Sequence, residues 1–166
     1  MSFRRVSSAF TTSASVTTDV IPQDPAYEAK VRESFGRQGH MTTLGAAIEF
    51  LAPGEVHLSL PFAPRFCQQN GFMHAGAIAS VADSANGYAA YSLAPPETDV
   101  LAVEFKINLL APALAESFLA CGRVLRAGRT LTVCHAEVFT AGPGDRTLVA
   151  VMLSTLIVRP MAQPGS

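Results

Sequence analysis

Ala75-Gly76-Ala77-Ile78-Ala79-Ser80-Val81-Ala82-Asp83-Ser84-Ala85-Asn86-Gly87-Tyr88-Ala89-Ala90-Tyr91 is the one long helical pattern in this chain, and its reading decides the fold. A helix on a protein surface shows an apolar stripe and a charged face. This one is small on every side and has no charged face. It is therefore expected to be enclosed by sheet, with Ala, Gly and Ser allowing close approach. Into it is set one carboxylate, Asp83.

The four runs that follow the helix read as strands. In the first, Leu101, Val103, Phe105, Ile107 and Leu109 alternate with Ala102, Glu104, Lys106 and Asn108, a period of two. The second covers Ser117 to Arg126 and the third Thr130 to Thr140, with Ala127-Gly128 turning between them. Gly142-Pro143-Gly144-Asp145 then leads into Arg146 to Val158, apolar on both faces. Ahead of the helix, residues 61–73 have no sustained periodicity and carry Pro61 and Pro64, so they read as a loop. Ala46 to Leu51 and Glu55 to Leu60 form a strand–turn–strand unit around Ala52-Pro53-Gly54. Asp24-Pro25 predicts a helix start, N-cap then first helical residue, for a segment that runs through Phe35 and is ended by Gly36 and Gly39. Hairpin-length connections make the sheet largely antiparallel. The expected class is α+β, six strands wrapped round one long helix, as one domain over residues 25–160 between tails at 1–24 and 161–166.

A chain of 166 residues can bury a substantial core unaided. It is 49% apolar and only 15% charged, low for a soluble monomer, and predicts a subunit that buries surface against copies of itself. A formal net charge of −1 offers no field for nucleic acid and no basic patch for a membrane. Cys67, Cys121 and Cys134 are odd in number and form no C-x-x-C pair, which argues against a disulfide framework and against zinc. They read as buried small hydrophobes in a reducing compartment, the cytoplasm. His40, His57 and His135 lack metal-ligand spacing. No apolar run reaches the roughly 18 residues that span a bilayer. Met1 to Thr18, Ser/Thr-rich with Arg4 and Arg5 and no acid, has the composition of a transit peptide and equally of a disordered tail; the tail is the reading adopted.

Burying a lone carboxylate costs several kcal/mol unless it is paired or neutralised. The positions one turn from Asp83 are Ala79, Ser80, Asn86 and Gly87, none of them cationic. Such a group carries a raised pKa and marks a functional candidate; the alternative is an inert acid bonded to a neighbouring strand. The helix starts from Gln68-Gln69-Asn70-Gly71-Phe72-Met73-His74-Ala75-Gly76. Free amides at a helix start hold a developing oxyanion, with Gln68 or Asn70 as further donors. His74 is read as the residue that caps the helix or orders this loop, not as a base. Asp83 lies eight residues past Ala75, about 12 Å along the axis at roughly 1.5 Å per residue. One chain's helix start therefore cannot share a carbonyl with its own Asp83. The two meet only if two copies pair across a twofold axis.

These residues resemble a known family. Gln68 through Tyr91, then Val100-Leu101-Ala102-Val103-Glu104-Phe105-Lys106-Ile107-Asn108-Leu109-Leu110-Ala111-Pro112-Ala113, then Gly122-Arg123-Val124-Leu125-Arg126-Ala127-Gly128-Arg129-Thr130 and on to Val158, are similar to the PaaI-like branch of the hotdog thioesterases. The signature is a His-x-Gly helix start, an Asp nine residues after that His, and the later Lys-Ile-Asn and Gly-Arg strands. The resemblance implies a six-stranded antiparallel sheet wrapped round the helix, homodimers with joined sheets, and often homotetramers. It implies hydrolysis of acyl-CoA thioesters at the dimer interface without metal or organic cofactor, coenzyme A being part of the substrate. Asp83 matches the acid, as nucleophile or as base on water. The Ala75 amide, within His74-Ala75-Gly76, matches the oxyanion donor. Gln68 matches the side chain placed near the thioester, with Asn70 ranked below it.

Two positions depart from the pattern. His-Gly-Gly reads His74-Ala75-Gly76, which keeps the backbone donor. Ala102 stands where several relatives carry a Ser or Thr that positions water from the partner chain. Substrate candidates are Phe105 and Lys106 on the first strand after the helix, and Arg126 and Arg129 beside a turn. Arginine suits the CoA phosphates; solvated turn residues and ordinary core are the alternatives. Ala102 motivates a second reading, a non-catalytic acyl-CoA or lipid-binding module. A dehydratase or hydratase is a third, against which stands the absence of a His–acid arrangement around His74.

Overall fold

The computed structural model describes residues 21–144 and 146–160. The tails expected at 1–24 and 161–166 lie outside these residues, apart from 21–24, as does Asp145 of the Gly142–Asp145 turn. The described order is α1 (Tyr27–Gly36), α2 (Gly39–Leu44), β1 (Ala47–Ala52), β2 (Glu55–Pro61), α3 (Ala75–Tyr91), β3 (Thr98–Leu109), β4 (Ser117–Ala127), β5 (Leu131–Ala141) and β6 (Leu148–Pro160). One 3-10 turn, Pro64–Phe66, interrupts the loop before α3. The strands form one antiparallel sheet in the order β1-β2-β4-β5-β6-β3, and α3 packs along its inner face.

Small residues set how closely helix and sheet approach. Ala77, Ala82, Ala85 and Ala89 of α3 are buried against Val56, Leu58, Phe118, Ala120 and Met152. At Gly122 of β4 a Cβ would lie 2.4 Å from the Ala85 carbonyl carbon and 2.7 Å from the Asn86 amide nitrogen. Only glycine lets the middle of α3 rest on β4. The Gly-Arg strand motif is thus a packing device. Asn86, fully buried, donates from Nδ2 to Ser154 Oγ on β6 at 2.8 Å and fixes the helix laterally.

Three expectations need correction. The first helix starts at Tyr27, because Asp24 Oδ1 accepts the Ala26 amide at 2.9 Å, forming a turn before the helix, and Asp24 also pairs with Lys30 at 3.1 Å. Gly39 does not end a helix; it opens the short α2, which Met41 and Leu44 anchor in the core. Finally, α3 is not enclosed on every side. Ala75, Gly76, Ala79, Ser80, Asp83, Ser84 and Gly87 form a stripe turned from the sheet that is exposed or half-buried.

The alternation on β3 is also broken. Ala102 pairs with Leu156, but Glu104 pairs with Thr155 and Phe105 with Ser154, so Val103 is a bulge. Leu156 and Ser154 are buried beneath α3. Ala102, Phe105, Ile107 and Leu109 therefore face the helix side, while Leu101, Glu104 and Lys106 face outward. β3 is an edge strand twelve residues long, with Leu101, Val103, Phe105 and Leu109 all at least 42% exposed.

Candidate active site

Of the cavities beside α3, two hold Asp83, Gln68 and Ala75. The first, about 260 Å³, is lined by Asp83, Ser84, Tyr88 and Tyr91 of α3, by Ser34 and Gln38 from α1 and its connection to α2, and by Asp99 to Ala102 of β3. Asp83 sits here because the helical period turns it onto the open stripe. Burial raises its carboxyl above the usual carboxylate range, and no cation opposes the shift. Its Oδ1 is buried and has no hydrogen-bond partner. An unsatisfied buried acceptor of this kind costs free energy, and on a carboxylate beside a cavity it marks a functional candidate.

The second cavity, about 350 Å³, lies at the start of α3. Gln68, His74 and Ala75 bring polar atoms to it; Phe72, Met73, Ile78, Leu109 and Val149 make the rest apolar. Met73, Ile78 and Val149 are core residues, so this cavity has a closed floor. His74 is the N-cap of α3: its Nδ1 accepts the Gly76 amide at 2.8 Å, which leaves the ring proton on Nε2. Its carbonyl accepts the amides of Ala77 and Ile78. The Ala75 amide donates to nothing among the described residues. Gln68 is held by a tight turn in which Gly71, at φ +83°, donates to the Gln68 carbonyl, and the Gln68 side-chain oxygen accepts the Asn70 amide at 2.7 Å. Gln68 lines the cavity with its side-chain oxygen engaged in this way, whereas Asn70 is exposed at the tip of the turn and lines neither cavity.

The structure thus joins Gln68, His74 and Ala75, with Gly76 beside them, and keeps Asp83 in the other cavity. Ala102 lines the Asp83 cavity of its own chain. Phe105 faces the helix side between the cavities, opposite Ser154, and lines neither. Lys106 is opposite Leu153 on the outer face of the sheet, away from both. Arg126 and Arg129 are exposed around the β4–β5 turn and line neither cavity. Sequence reasoning missed Ser34, Gln38, Tyr88, Tyr91 and Asp99 as walls of the Asp83 cavity.

Comparison with known proteins places the chain in a family. The model of the thioesterase superfamily matches residues 70–147. A thioesterase family protein of Silicibacter pomeroyi is 47% identical to this chain, and its crystal structure matches 81% of this chain and 99% of its own with a TM-score of 0.80. The chain belongs to the thioesterase superfamily. An esterase-like protein of Saccharolobus solfataricus is 33% identical over 87 residues, 52% of this chain and 61% of that protein, so the chain spans about three-fifths of that relative. PaaI of E. coli, from the phenylacetic acid degradation operon, shares the hotdog fold, with a TM-score of 0.73 over 82% of this chain and 94% of its own at 18% identity. The six-stranded antiparallel sheet with its long helix is the hotdog arrangement, and the family's chemistry is that of thioester hydrolases. No described helix is long and apolar enough to cross a membrane.

Proposed function

We propose that the protein hydrolyses acyl-CoA thioesters at a site shared by two copies, between Asp83 of one and the Gln68 side chain and Ala75 amide of the other. The observation that carries this is the separation of the two half-sites along one helix, each beside the bare edge of β3. Ala102 of β3 lines the Asp83 cavity and Leu109 lines the other. With Val103 bulged out of register, the midpoint between them falls at Lys106. Antiparallel pairing of two β3 edges about a twofold axis there sets each Ala102 across from the partner's Leu109. Each Asp83 cavity then adjoins the partner's helix start. Such pairing also covers the exposed apolar edge, which a free strand leaves as a liability.

The thioester carbonyl oxygen accepts from the Ala75 amide and Gln68, donors fixed in advance where negative charge develops. Asp83 acts on the opposite face, as nucleophile or as base on water, and the acyl group occupies the apolar cavity. Coenzyme A enters as part of the substrate, with no metal or organic cofactor in the reaction and no nucleic acid or membrane as partner. Homodimers, and homotetramers built from them, are the proposed assembly.

The decisive experiment measures thiol release from short, medium, long-chain and phenylacetyl CoA esters by the wild type and by Asp83→Asn, with dimer mass checked in both. Normal turnover by Asp83→Asn would overturn the assignment. Ala102 puts a methyl rather than a hydroxyl on the β3 wall of the Asp83 cavity, which favours a second reading as an acyl-CoA binding module. Binding of these esters without release of thiol from any of them would establish it.

A further inference from the structure

The Asp83 cavity has an oxygen-rich wall that no part of the thioesterase match explains. Gln38 and Ser34 come from the N-terminal helical segment, ahead of residues 70–147, yet both line it. Gln38 is firmly held. It is the N-cap of α2, its amide donates to the Phe35 carbonyl at 3.0 Å, and its carbonyl accepts the Thr42 amide at 3.1 Å. Its side-chain oxygen accepts from the Ser84 hydroxyl at 3.3 Å, from the residue next to Asp83. That bond fixes the plane of the amide and leaves both Nε2 hydrogens without a partner among the described residues.

From this arrangement we infer that Gln38, oriented by Ser84, holds the attacking water against Asp83, in the role that the methyl of Ala102 cannot fill. A cavity of about 260 Å³ admits several waters at roughly 30 Å³ each in the liquid. One of them donates to Asp83 Oδ1, the buried acceptor that lacks a partner, and accepts from Gln38 Nε2. Its second lone pair then points to the thioester carbonyl. Asp83 takes the water's proton as the new O–C bond forms, and the oxyanion rests on the partner's Ala75 amide. As the C–S bond breaks, the leaving thiolate takes that proton back. Water and thioester become carboxylic acid and thiol, with nothing else consumed. Gln38 touches a reacting atom, whereas Ser84 acts through Gln38 and is a positioning residue.

The inference rests on the reading of Asp83 as the catalytic carboxylate and selects its role as base. Its test is steady-state kinetics on the best CoA ester of the panel for Gln38→Ala, Gln38→Glu, Ser84→Ala and Ser84→Thr, with dimer mass and thermal unfolding as folding controls. Gln38→Glu keeps the acceptor for Ser84 and the side-chain length but removes the donors. Both Gln38 variants are expected to lose about 10- to 100-fold in kcat with KM within about twofold, the penalty of a misplaced reactant. Ser84→Ala is expected to lose kcat in the same way, and Ser84→Thr, which restores the hydroxyl, to recover it. Wild-type kcat in folded Gln38→Ala or Gln38→Glu would overturn the inference, as would a rise in KM alone. If Asp83→Asn is dead while the Gln38 variants are normal, only this inference fails; if Asp83→Asn is active, the underlying reading fails with it.

Discussion

The two cavities along α3 are of similar size and opposite character. The one at the helix start has a closed apolar floor, and its polar atoms are donors: the Gln68 amide and the free Ala75 N–H. The one around Asp83 is walled by hydroxyls, an amide and a second carboxylate, and its central atom is an acceptor with nothing to accept. One cavity suits an acyl chain and an oxyanion, the other water and its base. Neither is a complete site. The helix keeps complementary functions apart within one chain, so that a twofold axis is what brings them together.

The largest effect expected from breaking this division is at Asp83. Asp83→Asn should lower kcat by about 10³-fold, the scale of general-base catalysis, with KM and dimer mass little changed. The same variant should melt a few degrees higher at neutral pH. Folding raises this carboxyl's pKa, so the folded chain holds the proton more tightly than the unfolded one. Its contribution to stability is present below the ordinary carboxylate range and is lost as pH rises through the raised value; Asn removes that loss. Calorimetry of the two proteins at pH 7 reads the difference, and a lower melting point for Asp83→Asn would refute it.

Next in size is a test of the sharing itself. Gln68→Ala should lower kcat about 10²-fold by removing one oxyanion donor. Refolding it together with Asp83→Asn yields heterodimers with one intact site and one doubly damaged site. Random pairing should restore about a quarter of wild-type activity from two inactive parents. Additive residual activity of the parents would place each site within one chain.

Smaller effects should sharpen the contrast in character. Val149 lies at the floor of the apolar cavity, and Val149→Ala should shift preference towards longer acyl groups while costing roughly 1–2 kcal/mol in urea unfolding. An unchanged chain-length profile would remove the acyl group from this cavity. Least in size is the pH dependence. The acid limb of kcat/KM should lie above the ordinary carboxylate pKa of about 4. Asp99, Tyr88 and Tyr91 line the same cavity, and burial pushes both phenols up, which keeps them neutral here. An acid limb at about 4 or below would mean that a different carboxylate titrates.

Much of this was legible in the chain because the relevant signals are local. Residues 75–91 read as a helix from their size and lack of charge, and Asp83 stood out as its one carboxylate. His74 read as a cap, and the structure shows it accepting the Gly76 amide. The bulge at Val103 was hidden, because an apolar–polar alternation looks the same with or without an extra residue; only pairing with β6 reveals it. Short α2 escaped because six residues, Gly39 to Leu44, carry no period. Gln38 escaped for a different reason. Its meaning lies in Ser84, 46 residues away, and no spacing rule links the two. Arg126 and Arg129 show the reverse error: arginine beside a turn is suggestive chemistry, yet the turn puts both in solvent.

The bulge at Val103 also constrains how this chain can vary. Downstream of it, every residue of β3 faces the side opposite to the one a regular strand would give. Deleting Val103 would restore regular pairing with β6 and leave Glu104 and Lys106 outward and Phe105, Ile107 and Leu109 towards the helix, as they are now. Related chains one residue shorter at this point should therefore keep the same faces of β3 on both sides of it, and an alignment gap at Val103 is compatible with the fold.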